Sequence, residues 1–154
     1  MPSILVVHHT VSPATAEMLD AVLQGLQIDE LAALSVCSRP ALSASPSDTL
    51  AADGVLLLSP VNIGYISGAL KHYFDTVYYP CLEATTGLPF GAVLSSGQDA
   101  SGALRALSSI TTGMQWKPVA EPLVISGSPD RAQREQLMEL AATVGAYASG
   151  LISE

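Results

Sequence analysis

Ile4-Leu5-Val6-Val7-His8-His9-Thr10-Val11-Ser12-Pro13-Ala14-Thr15 changes pattern twice within a few residues, and the changes set the fold. Residues 4–7 are a continuous apolar run rich in β-branching, as in a strand covered on both faces of a parallel sheet. Ser12-Pro13 reads as an N-cap followed by the first helical residue, and Met18, Leu19, Val22, Leu23 and Leu26 then recur at helical spacing. The expected order is strand, polar loop, amphipathic helix.

The same unit recurs downstream. Residues 55–58 form a second apolar run ending in Ser59-Pro60, ahead of the helical stripe Ala69, Leu70, Tyr73, Phe74 and Val77. Residues 90–94 form a third, broken by Ser95-Ser96-Gly97, ahead of a helix outlined by Leu104, Leu107 and Thr111 that should stop at Gly113. Residues 118–125 supply one more strand, placed at a sheet edge because Pro122 interrupts it. Ser128-Pro129 repeats the N-cap and proline device before a closing helix with Leu137, Leu140, Ala141, Val144 and Leu151 on one face. Residues 31–36 read as a weak edge strand, and residues 38–48, rich in Ser, Ala and Pro, as loop with one helical turn after it.

Alternating strands and helices with short connections imply right-handed crossovers and a parallel sheet with helices on both faces. Five strands in 154 residues fit the order 2-1-3-4-5 better than a six-strand dinucleotide fold. Ligands of such sheets bind outside the carboxyl ends of the strands where the order reverses, here between the first and third strands.

Composition narrows the partners. At 154 residues one domain, 1–154, is expected, since about 100–150 residues is the commonest domain size. Hydrophobic residues are 49% and charged residues 13%, which rules out intrinsic disorder as the main state. Six Lys plus Arg against 14 Asp plus Glu give a net charge of −8, which opposes nucleic acid and anionic membrane as partners. Met1-Pro2-Ser3 lacks the basic start of a signal peptide and no apolar run approaches the roughly 20 residues of a membrane span, so a cytoplasmic, soluble protein is expected. Cys37 and Cys81 form no C-x-x-C and read as packed thiols. Mean hydropathy of +0.39 with so few charges points to apolar surface covered by a second subunit, as in a homo-oligomer, or by a large ligand.

The loop after the first strand carries Thr10, Ser12 and Thr15 into a helix N-terminus. Free backbone N–H groups, the positive end of the helix dipole and orientable hydroxyls suit an anion such as a phosphate. Residues 1–38 contain no Lys or Arg, so neutral donors must hold it, which favours a terminal monophosphate over a triphosphate with magnesium. The same residues also read as a plain N-cap serine with two solvated turn threonines, and Pro13 removes one N–H.

The second loop is Ser59-Pro60-Val61-Asn62-Ile63-Gly64-Tyr65-Ile66-Ser67-Gly68-Ala69-Leu70-Lys71, followed by His72-Tyr73-Phe74-Asp75. Two glycines and an asparagine beside the switch point let backbone approach a flat ligand edge. This string resembles the signature of flavodoxin-like flavoproteins, which include flavodoxins, NAD(P)H-dependent FMN reductases and tryptophan-repressor-binding-protein-like quinone reductases. The likeness rests on Ser59-Pro60, Gly64, Gly68-Ala69-Leu70-Lys71, Phe74 and Asp75 in one register, with the hydroxyl loop upstream and Ser95-Ser96-Gly97-Gln98 downstream.

The resemblance implies a flavodoxin-like three-layer α/β sandwich with FMN as cofactor. It implies that Thr10, Ser12 and Thr15, bordered by His9 and Ala14, hold the phosphate. Pro60, Val61, Asn62, Ile63, Gly64 and Tyr65 would border the ring, and Ser96, Gly97 and Gln98 would reach its pyrimidine edge. Flavodoxins usually sandwich the ring between aromatic side chains, whereas the third loop here has none and the second only Tyr65. A ring face left open suits nicotinamide or quinone, so an oxidoreductase passing electrons from NAD(P)H or another donor to a quinone, flavin or similar acceptor is expected. The alternatives are a flavodoxin-type carrier between redox proteins and a non-redox phospholigand module.

Other chemistries find little support. A metal site from His8, His9, His72, Cys37 or Cys81 lacks ligand spacing. G-x-S-x-G, G-x-G-x-x-G and G-x-x-x-x-G-K-[ST] do not occur.

Overall fold

The computed structural model describes residues 1–153. The strands are β1 (Ser3–His8), β2 (Ser35–Pro40), β3 (Gly54–Asn62), β4 (Tyr65–Ile66), β5 (Pro89–Ser95), β6 (Lys117–Pro118) and β7 (Leu123–Ile125). The helices are α1 (Pro13–Gly25), α2 (Pro46–Leu50), α3 (Gly68–Cys81), α4 (Ser101–Met114) and α5 (Arg131–Ala148). The sheet runs β2-β1-β3-β5-β6 with parallel pairing, β7 continues the edge beyond β6, and β4 folds back antiparallel on β3. With β6 and β7 counted as one broken strand, this is the 2-1-3-4-5 order.

Alternation along the strands builds three layers. Leu5, Val7, Val55 and Leu57 face α3 and α4, packing with Leu70, Tyr73, Phe74 and Leu107. Ile4, Val6, Leu56 and Leu58 face α1 and α5, packing with Met18, Val22, Leu137 and Val144. Each such buried side chain contributes roughly 1.5–3 kcal/mol of transfer free energy, so the central strands anchor both faces.

Several boundaries differ from the sequence reading, β3 among them, which runs on past Ser59-Pro60 to Asn62. Leu31 lies in a single 3-10 turn (Asp29–Leu31) and β2 begins at Ser35, because this edge strand has no fully buried residue and thus no apolar run to mark it. Helix α4 passes through Gly113 to Met114, and Gln115 adopts the left-handed cap at φ 61°. The Gln115 carbonyl accepts from Gly87 N–H at 2.7 Å and its side-chain Oε1 from Thr86 Oγ1 at 3.1 Å, which holds a conformation usually left to glycine. Helix α5 is capped by Asp130, whose side chain accepts from Gln133 N–H, and not by Ser128. Leu151 lies beyond α5 and is exposed.

The break between β6 and β7 follows from Pro118 and Pro122, which lack the N–H a ladder needs. It leaves a cavity of about 400 Å³ between α4 and β5, lined by Phe90, Leu107, Trp116 and Pro122 among others. No helix of the described residues is long and apolar enough to cross a membrane.

Candidate functional site

Three loops meet the carboxyl ends of β1, β3 and β5. The first leaves β1 at His8, and His9 N–H donates to the Leu58 carbonyl at 2.9 Å, carrying the β1–β3 pairing one residue further. Thr15 is buried, and its Oγ1 accepts from Val11 N–H at 3.1 Å and Ser12 N–H at 3.0 Å while donating to the Ser12 carbonyl at 3.0 Å. Ser12 Oγ accepts from Thr15 N–H at 3.1 Å, completing a capping box. Ser12 is therefore an N-cap, whereas Thr15 is the buried clasp of the loop and not a solvated turn residue.

Ala14 follows Pro13 in the first turn of α1, where an N–H has no helical carbonyl one turn back to bond. Thr10 Oγ1 lies 2.9 Å from His8 Nδ1. Burial, with the neighbouring His9 second, lowers the His8 pKa from its ordinary value. Arg39, beside Val7 in the sheet, turns to Asp48 at 3.8 Å. The positive end of α1 and these polar groups can receive an anion without a formal cation.

The second loop is a β-hairpin. Val61 pairs with Ile66 and Asn62 with Tyr65, leaving Ile63 and Gly64 as the turn at φ 52° and 73°. Positive φ at both central residues is the pattern of a type I′ turn, at ease for glycine and strained for a β-branched residue. Ile63 is nonetheless fully exposed at the tip. Two buried serines lock the hairpin base: Ser67 N–H donates to Ser59 Oγ at 3.1 Å, and the two hydroxyls lie 3.0 Å apart. Ser67 Oγ also accepts from Leu70 N–H at 3.2 Å, capping α3. Gly102 abuts the Gly64 carbonyl so closely that any Cβ there would collide with it.

The third loop is drawn to the second by β3–β5 pairing, which sets Pro60 opposite Ser95. Ser96 Oγ donates to the Gln98 carbonyl at 2.8 Å and its N–H reaches the Ile125 carbonyl at 3.0 Å. The two loops enclose a cleft of about 330 Å³ lined by Val61, Ile63, Gly64, Ser96, Gly97 and Gln98, together with Asp99. Pro60 is buried in β3, while Asn62 and Tyr65 are exposed on the hairpin without lining the cleft.

Asp99 is the cleft residue that the sequence reading missed, although it directly follows Gln98 in the same polar run. Ser101 donates from its hydroxyl at 2.8 Å and from its N–H at 3.0 Å, and these bonds hold the exposed Asp99 carboxyl below the usual range. The helix that follows the hairpin also carries a cation in its first turn. The Lys71 ammonium donates to Asp75 at 2.7 Å, and that bond raises its pKa; burial opposes it, and the fields of Asp75 and then of the Tyr65 phenol add to the rise. Among the described residues no group of three or more His, Cys, Asp and Glu could hold a metal ion.

A doubly wound sheet with its polar loops gathered at the switch point defines a class of cofactor-binding domains. Residues 10–130 match the family of NADPH-dependent FMN reductases, and the chain belongs to that family. It is an FMN-binding redox flavoprotein. A flavodoxin from the domain Archaea superposes with a TM-score of 0.82 at 16% identity, covering 96% of this chain and 99% of its own. A WrbA-like flavodoxin protein from Agrobacterium tumefaciens gives 0.76 at 17% identity, covering 97% and 99%. The rubredoxin oxygen:oxidoreductase from Desulfovibrio gigas gives 0.78 at 19% identity, with 98% of this chain matched to 37% of that longer one. At these identities the superpositions establish the fold. A search of curated proteins finds no match.

Proposed function

We propose that the chain works as one domain and as an oxidoreductase that passes electrons from NADPH or NADH through FMN to a quinone, a flavin or a similar acceptor. The observation that carries this reading is the convergence of Val61, Ile63 and Gly64 with Ser96, Gly97 and Gln98 on one cleft at the switch point. FMN, when bound, supplies the hydride and single-electron chemistry itself. The chain's own groups bind and orient it.

Thr10, Ser12 and Thr15, with His9 and the amide of Ala14, would hold the phosphate. For that, phosphate oxygens would replace Thr15 Oγ1 as acceptors for the Val11 and Ser12 amides, a change of partner with no change of fold. The hairpin Pro60–Tyr65 and residues 96–98 would border the ring. Asp99 places a fixed negative charge in the same cleft, which disfavours added negative charge there. Val11, Leu42 and Ile63 are exposed in the loops after β1, β2 and β3, and Tyr65 on β4, apolar surface suited to a flat, poorly charged acceptor or a second subunit.

The net charge of −8 supports a second reading, a carrier that docks on basic redox proteins. Titration with FMN followed by absorbance tests the cofactor site. Steady-state oxidation of NADPH or NADH with a quinone acceptor then separates the two readings. Turnover is expected, and a flavin-loaded protein inert toward both nucleotides would leave the carrier.

A further inference from the structure

We propose that His8 is a positioning residue for the phosphate loop: its Nδ1–H turns the Thr10 hydroxyl so that the hydroxyl proton points to the phosphate monoester. The inference rests on the phosphate placement above and adds to it the group that decides in which direction Thr10 donates.

The geometry leaves little choice once an anion is present. His8 Nδ1 and Thr10 Oγ1 are 2.9 Å apart, a hydrogen-bond distance, and share a single hydroxyl proton and at most one ring proton. Two arrangements satisfy the pair. In one, the imidazole carries its proton on Nε2 and Thr10 donates backward to Nδ1. In the other, the proton sits on Nδ1, the ring donates to Thr10 Oγ1, and the hydroxyl is free to donate forward. A phosphate dianion only accepts. If Thr10 gives its proton to phosphate while Nδ1 bears a lone pair, two acceptors face each other at 2.9 Å. Phosphate binding therefore selects the Nδ1–H form.

The backbone that carries the ring is fixed between neighbours, with His8 opposite Pro40 on β2 and Leu58 on β3, and the His8 carbonyl accepts from Ala41 N–H at 2.7 Å. Burial favours the neutral imidazole, in which the single ring proton sits on one nitrogen or the other. Residues 1–38 contain no Lys or Arg, and a loop that relies on neutral dipoles is sensitive to the direction of each one.

Two measurements test it. FMN and riboflavin affinities are compared in the native chain, His8→Ala and His8→Asn, since the Asn amide nitrogen occupies the place of Nδ1. His8→Ala is expected to weaken FMN about five- to tenfold, the worth of one oriented hydrogen bond, with riboflavin unchanged. His8→Asn should recover most of the loss. Imidazole nitrogen NMR of the native chain at mildly alkaline pH should show His8 Nδ1 as the protonated nitrogen in the FMN complex. FMN affinity equal in all three chains, equal loss in Ala and Asn, or an unprotonated Nδ1 in the complex overturns the proposal. Riboflavin binding as tightly as FMN in the native chain overturns the phosphate placement itself and the role of His8 with it. Because the NMR readout uses the native protein, the proposal stays testable if a variant fails to fold.

Discussion

The loops after β1 and β3 sit on neighbouring strands and are held in opposite ways. Residues 9–15 are clasped from inside: one buried hydroxyl, Thr15 Oγ1, accepts two backbone amides and donates to a carbonyl, and no residue there has positive φ. Residues 62–65 have a strained tip, with Ile63 in the left-handed region, and are held from outside by Ser59, Ser67 and Gly102. The first loop can exchange internal hydrogen bonds for those of an anion. The second must keep its shape against strain of about 1–3 kcal/mol, so its neighbours decide whether the cleft exists.

The sharpest way to break this contrast is at Gly102. Gly102→Val places a branched side chain against the Gly64 carbonyl, a backbone atom that cannot rotate away. We expect a loss of about 2–3 kcal/mol in urea unfolding, the cost of overpacking, and at least a tenfold loss of FMN affinity as the hairpin shifts. Unchanged FMN binding would show that the hairpin holds its shape without α4.

What sequence could reveal divides along the same line. The central strands were readable because burial on both faces makes continuous apolar runs, as at residues 4–7 and 55–58. Edge strand β2 leaves no apolar run because it buries no residue fully, and Gly113 does not mark the α4 stop because Gln115 takes the cap conformation, with its N–H bonded back to Thr112 and its other groups to Thr86 and Gly87. In the site, hydroxyl spacing marked the first loop, and glycine and serine content marked the walls of the cleft. The clasp by Thr15 is a local Ser-x-x-Thr capping pattern, whereas the Ser59–Ser67 lock and the approach of Gly102 to Gly64 join residues that only the folded hairpin and α4 bring together. Nothing in the polar run singles out Asp99 beyond Gln98, and its place in the cleft depends on β3–β5 pairing.

Thr15→Val probes the inner clasp. It keeps the volume of the buried side chain and removes the oxygen that serves Val11, Ser12 and the Ser12 carbonyl. Water reaches exposed Val11 and Ser12, so the stability loss should be smaller than at Gly102, about 1–2 kcal/mol. Thr15→Ser should retain most of it. Equal losses in both variants would assign the effect to packing and not to the hydroxyl.

Ile63→Asn acts on the strained tip. It creates Asn-Gly at the two positive-φ positions, the pair most at home in a type I′ turn. Ile63 is fully exposed, so little packing is lost, and stability should rise by about 0.5–1 kcal/mol. A fall instead would mean that the isoleucine does not carry the strain its φ implies. A gain in stability with weaker flavin binding would show that the apolar tip is kept for the ligand.

The smallest effect is expected from pH at the first loop. Burial, and then His9, hold the His8 pKa below the ordinary 6.5, so the unfolded chain binds the proton more readily than the folded one. Stability should therefore rise with pH through the window just below 6.5 and level off above it, and it should fall on acidification as the folded state is made to charge a half-buried ring. Thermal unfolding from pH 5 to pH 8 measures this, with His8→Asn as the control that flattens its share of the slope. A slope that survives intact in His8→Asn would place the titrating group elsewhere, and His8 would lose its claim to be the neutral ring on which the direction of Thr10 depends.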